Sequence, residues 1–216
     1  MQRMREPVNG LTHGAGALLA VVALVVLVAT ALAAGKPVSA VGFAVFGLSL
    51  IALYTASALY HLLPVSATAL ARLQRLDHAL IYVLIAGTYT PVCMVALTGE
   101  WRWGLLGLIW GLAGGGIVLK LRRKPVPVGI STALYVAMGW VAVIAIPPLL
   151  HAVPLGGVAW LLGGGLVYTL GAVVYARQRP ILIPGVLGSH ELWHLFVLGG
   201  SACHVWVMLR YIAALG

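Results

Sequence analysis

Charge is what this sequence lacks most. Charged residues are 8% of its 216 residues, and only four are acidic: Glu6, Asp77, Glu100 and Glu191. A soluble domain carries roughly a quarter charged residues. This chain has too few polar groups to cover a water-facing surface, which excludes a soluble globule. Cysteine is nearly missing too. Cys93 and Cys203 lie inside apolar runs without a C-x-x-C neighbour, which argues against a disulfide framework or a structural zinc ribbon. Both read as small core residues. There is no internal repeat, no low-complexity tract and no long polar segment, so a single domain over residues 1–216 is expected.

What is present is hydrophobic: 62% of the residues, with a mean hydropathy of +1.06. A membrane span needs about 20 apolar residues, and seven such runs are found, at roughly 14–34, 40–63, 77–98, 103–121, 129–148, 152–175 and 188–213. The expected fold is all-α, a polytopic seven-transmembrane-helix bundle. The first run follows Arg3 and Arg5 and contains Ala31-Leu32-Ala33, as a secretory signal would. It is longer than a typical signal core and reads as an uncleaved helix. Pro147-Pro148 is expected to end the fifth span, with a short loop at His151, and Pro91 to kink the third. Gly114-Gly115-Gly116 and Gly163-Gly164-Gly165 read as places of close helix packing.

The formal charge of +9 does not point to nucleic acid, because the basic residues fall in short loops between apolar runs. There they act as topology signals and attract anionic lipid head groups. Arg3, Arg5, Arg72, Arg75, Lys120, Arg122, Arg123, Lys124, Arg177 and Arg179 fall on the side of the N-terminus; Lys36, Arg102 and Arg210 fall on the other. This imbalance places the N-terminus in the cytoplasm and, with an odd number of spans, the C-terminus outside.

That topology gathers the polar residues. Ser57 and His61 end the second span on one helix face, Asp77 begins the third, and His190 and His194 begin the seventh, again on one face. All five fall in one layer near the cytoplasmic side. Imidazoles and carboxylates are costly in a membrane, so their presence there suggests a task. Three imidazoles suit a catalytic zinc with one position left for water. Asp77 is placed to take a proton from that water, and Ser57 to donate to a developing oxyanion or to a neighbouring polar group.

Ser57-x-x-x-His61, Asp77 and His190-x-x-x-His194 together resemble the signature of the hemolysin III family, grouped with the progestin and adipoQ receptors and, more distantly, the alkaline ceramidases. Asn9-x-x-Thr12-His13, Arg75-Leu76-Asp77-His78 and Ala86-Gly87-Thr88-Tyr89-Thr90-Pro91 extend the resemblance over nearly the whole chain. The resemblance implies a zinc ion held by His61, His190 and His194 near the cytoplasmic face, with Asp77 bonded to its water and Ser57 close by. It also implies a bacterial plasma (inner) membrane location and, from the ceramidases, hydrolysis of a membrane lipid amide or ester. The long N-terminal domain of the animal receptors is missing from this sequence, so receptor signalling does not carry over.

Three rivals stand beside this expectation. His190-Glu191-x-x-His194 is also the zincin protease pattern, with the Glu as base. Such sites typically take a third ligand from a later carboxylate, and no acid follows Glu191. Glu191 is then expected at the interface beside a basic residue, or at its helix N-terminus. A non-enzymatic sensor of lipid or membrane state would use the same zinc structurally. A pore-forming cytolysin fits poorly, since a uniformly apolar chain has no soluble form and no polar stripe for a wide channel. His13 and His78 read as structural or supporting residues of the same layer. His204 lies some 15 Å deeper by helical rise. Its first expected role is a hydrogen bond to a neighbouring helix, and its second is lining a substrate cavity.

Overall fold

The computed structural model describes residues 5–122 and 126–215. Arg3, Arg123 and Lys124, which entered the charge count, lie outside them. Among these residues seven helices are long and apolar enough to cross a membrane: α1 (Pro7–Ala33), α2 (Pro37–Leu62), α3 (Ala67–Ala96), α4 (Gly99–Leu121), α5 (Val128–Ala152), α6 (Leu155–Arg177) and α7 (Ser189–Ile212). Among the described residues there is no strand, only an isolated bridge between Ile183 and Leu187 in the α6–α7 connection.

α2 and α3 form the buried centre. Phe43, Phe46, Leu50, Leu53 and Tyr54 of α2 meet Tyr82, Leu84, Ala86 and Tyr89 of α3 in one apolar core. α1 packs along α2, and α7 packs against both α6 and α1. The outer faces carry bare aliphatic side chains such as Leu18, Leu19, Leu112, Leu155 and Leu170. A soluble protein avoids so large an apolar surface, whereas lipid tails match it.

Three local features differ from expectation. α1 begins at Pro7 rather than near residue 14, because Pro7 sits in the first turn, where its missing N–H costs nothing. The added turn carries Asn9 and His13, both buried. Pro147-Pro148 does not end the fifth span. The chain tightens over Val141–Ala145 and then resumes as helix over Ile146–Ala152, with the prolines in its first turn and His151 in its last. Prolines are tolerated there for the reason that applies at Pro7. α3 starts at Ala67, ten residues before the expected 77, with Ser66 Oγ accepting from Ala69 N.

Pro91 behaves as expected of a helix-perturbing proline. The turn after it, Val92–Ala96, widens, so that Leu97 N bonds to Val92 O. The α1–α2 reversal relies on Gly35, whose φ of +69° suits a residue without Cβ. Lys36 then donates to the carbonyls of Ala213 and Leu215, tying this reversal to the end of α7.

The glycine triplets are only partly packing sites. Gly116 lies against Tyr82, and Gly164 against His204 and Cys203, whereas Gly114, Gly115 and Gly163 have open space where a side chain would go.

Candidate metal centre

His61 ends α2, and His190 and His194 occupy the first two turns of α7. The bundle brings these ends together. One nitrogen from each ring lies within 4.8 Å of the others. The ring centroids form a near-equilateral triangle: His61–His190 5.1 Å, His61–His194 4.8 Å and His190–His194 4.9 Å. His61 and His194 are 1% and 2% exposed.

The hydrogen bonds decide which nitrogens are free. His61 Nδ1 donates to Glu6 Oε2 at 2.6 Å. His194 Nδ1 donates to the Asn9 carbonyl at 3.2 Å. An imidazole whose Nδ1–H is held by a carboxylate or carbonyl presents a lone pair at Nε2, the usual arrangement of a metal-ligating histidine. His61 Nε2 is buried and has no hydrogen-bond partner. Three converging imidazole nitrogens are a donor set that suits zinc. The residues therefore fit a metal ion.

The supporting layer comes from α1. Glu6 Oε2 also accepts from Asn9 Nδ2 at 3.2 Å, and the same amide donates to Glu191 Oε1 at 2.9 Å. Glu191 Oε2 accepts from Gly188 N at 2.8 Å, closing the first turn of α7. Arg5 donates to the Tyr60 carbonyl and pairs with Glu6 Oε1 at 3.5 Å. Burial pushes the Glu6 carboxyl up, but bonds from His61 and Asn9 outweigh it and leave it below the ordinary carboxylate value.

Glu6 is the residue that sequence reasoning missed. It occupies the N-cap position of α1 and is a direct partner of His61. The available signal was spacing: Glu6, Asn9 and His13 recur at intervals of three and four, one face of a helix. Glu191 takes the second of its two expected places, the helix N-terminus, and it points to Asn9 and Gly188 rather than into the cluster.

On its other side the cluster borders a partly open cavity of about 220 Å³ between the helices. His13, Ser57, Asp77, His78, His190 and His194 line its near end; Leu105, Ile146, Leu149 and Val158 line the far end. Ser57 stands beside Asp77, its buried Oγ facing that carboxyl and no other protein group. His61, behind His194, does not line the cavity. Asp77 and His78 point apart around α3, yet both reach it. His13 stacks on His194 at 3.8 Å between centroids and has neither nitrogen bonded.

Two further residues differ from expectation. Lys120 is a half-buried cavity residue that donates to Ser131 Oγ at 2.6 Å and lies over the Tyr135 ring, not a free loop charge. His204 makes no hydrogen bond to a neighbouring helix. Its Nδ1 is unpartnered and the residue lines the cavity, its second expected role. The nearby hydroxyls of Tyr168 and Ser201 are engaged with each other, and Gly164 opposite has no side chain to offer.

Comparison with known proteins matches the sequence to a family. The model of the family described as "Haemolysin-III related" matches residues 1–205. The chain belongs to the haemolysin-III family. It is 39% identical over 208 residues to "Hemolysin-3" of Bacillus cereus, covering 96% of this chain and 91% of the relative. It is 40% identical over 206 residues to "Hemolysin-3 homolog" of Bacillus subtilis (strain 168), covering 95% and 93%. A more distant similarity, 25% identity over 172 residues, links it to the human "Monocyte to macrophage differentiation factor", covering 78% of this chain and 69% of that one. With seven apolar helices and bacterial relatives of nearly full length, this haemolysin-III protein is an integral membrane protein.

Proposed function

We propose that this protein is a membrane hydrolase that uses a zinc ion, held by His61, His190 and His194, to cleave the acyl amide or ester bond of a lipid. The ceramidase-like direction follows from the resemblance stated above. In this reading the N-terminus and the metal site face the cytoplasm of a bacterial cell, as the distribution of Lys and Arg suggests. The observation that carries it is the position of the triad. The triad has two Nδ1 atoms already engaged, and through His190 and His194 it borders an apolar cavity that Ser57 and Asp77 also line. Three imidazoles suit zinc well.

When bound, the ion supplies Lewis acidity, polarising an acyl carbonyl and acidifying a water. The chain does the rest. The apolar lining takes the acyl chain and excludes bulk water. Asp77 accepts the proton of the water whose oxygen bonds to the acyl carbon. It passes that proton to the nitrogen or oxygen that leaves as the carbon–heteroatom bond breaks, so water is consumed and an acid and an amine or alcohol are released. Ser57 Oγ–H, beside Asp77, turns to donate to the carbonyl oxygen as charge develops there. Glu6 and the Asn9 carbonyl hold His61 and His194 in orientation.

The test is turnover of a panel of ceramides, acyl amides and acyl esters by purified zinc-loaded protein. Release of free fatty acid, abolished by chelation and restored by zinc, is expected. Stoichiometric zinc with no turnover of any acyl lipid sinks the reading.

A second reading has its own observation. His61 and His194 are almost wholly buried and join α2 to α7, so the same ion would clamp the bundle of a non-enzymatic sensor of membrane state. Chelation then lowers the melting temperature and no lipid is consumed.

A further inference from the structure

His204 carries an inference that rests on the acyl-lipid reading and extends it. The cavity-lining polar side chains without a hydrogen-bond partner are not scattered. His13 lies at the metal end; His204, buried at 8% exposure with Nδ1 unpartnered, lies deep in the bundle. His194 and His204 are ten residues apart on α7, so the two levels are separated by about 15 Å along its axis.

The other polar groups at the His204 level are engaged with the protein. Tyr54 donates to Ser201 Oγ at 2.6 Å, and the Tyr168 hydroxyl meets the same oxygen at 2.8 Å. Thr169 donates to the Gly165 carbonyl and accepts from Trp140 Nε1. The imidazole of His204 stacks on the Tyr168 ring at 5.6 Å, which fixes its plane, and Gly164 leaves room for its edge. A neutral imidazole offers one donor and one acceptor. A lone water would need two to four polar partners, and here it would find chiefly one. An oxygen carried on a hydrocarbon chain needs only one, because the chain fills the apolar lining.

We infer that His204 forms a second polar subsite, which binds an oxygen function, such as a hydroxyl, on the acyl chain of a lipid whose carbonyl lies at the metal end. The cavity then selects chain-oxygenated acyl lipids over plain ones of equal length. Leaving an imidazole unpaired beside a plain chain is the source of the discrimination.

Oleic and ricinoleic acids test this directly, since they differ in one mid-chain hydroxyl. Their dissociation constants are measured on zinc-loaded, detergent-purified protein by quenching of tryptophan fluorescence. Wild type is expected to bind ricinoleic acid about tenfold more tightly, the effect of one buried hydrogen bond. His204→Leu is expected to abolish that preference, tightening oleic acid and weakening ricinoleic acid with zinc content unchanged, and His204→Gln to restore part of it. Equal affinities in wild type, or a preference that survives His204→Leu, overturn the subsite. Should His204→Leu fail to fold, the wild-type ratio decides alone. If neither acid binds, the acyl-lipid reading itself falls and the subsite with it.

Discussion

On the α1 side of the histidine cluster, Glu6, Asn9 and Glu191 are joined in one chain of hydrogen bonds that reaches His61 and His194. On the cavity side, Ser57 and Asp77 face only each other and the open space of the cavity, with no tie to the α1 network. Bonded groups are immobile and hold orientation; those outside the network are available to something that enters. In the hydrolase reading proposed above, the first side positions the ligands and the second carries the chemistry. It also separates the three central carboxylates. Glu6 holds a ring, Glu191 caps a helix and ties it to Asn9, and Asp77 alone among them lines the cavity.

The difference can be broken by substitution. The largest effect is expected from His61→Ala or His194→Ala, which should lose the metal and with it all lipid turnover, as read by elemental analysis and a fatty-acid release assay. Next is Ser57→Ala, expected to lower kcat by about a hundredfold through loss of a donor to the developing oxyanion, with zinc content unchanged. Glu6→Ala should weaken zinc affinity roughly 10–100-fold, measured by competition with a chelator, while turnover per bound zinc changes little. The smallest effect belongs to Glu191→Gln. It should cost about 1–3 kcal/mol of stability, seen in a detergent thermal melt, and leave turnover per zinc intact. A protease-type base at Glu191 predicts the opposite, full stability with turnover lost.

Much of the fold was legible because lipid imposes a simple rule: runs of about 20 apolar residues become helices. The His190–His194 pair was legible because four residues make one helical turn, and His61 joined it once the spans were counted. Glu6 was not, because its partner is 55 residues away and hydropathy alone started the first helix too late. The prolines at 147 and 148 misled because a proline that breaks one helical segment also starts another. Lys120 was read as a loop charge because no sequence pattern reveals Ser131 and Tyr135 waiting beside it. The place of His204 depended on which neighbouring hydroxyls were already engaged, a matter of tertiary packing.

The most direct test of this division of labour is Asp77→Asn, with zinc content and acyl-lipid turnover measured on the same preparation. About one zinc per chain retained, with turnover lowered by about a hundredfold or more, is the predicted result. Undiminished turnover, or loss of zinc and fold together, would contradict it, for Asp77 would then belong to neither the chemistry nor the open side of the site.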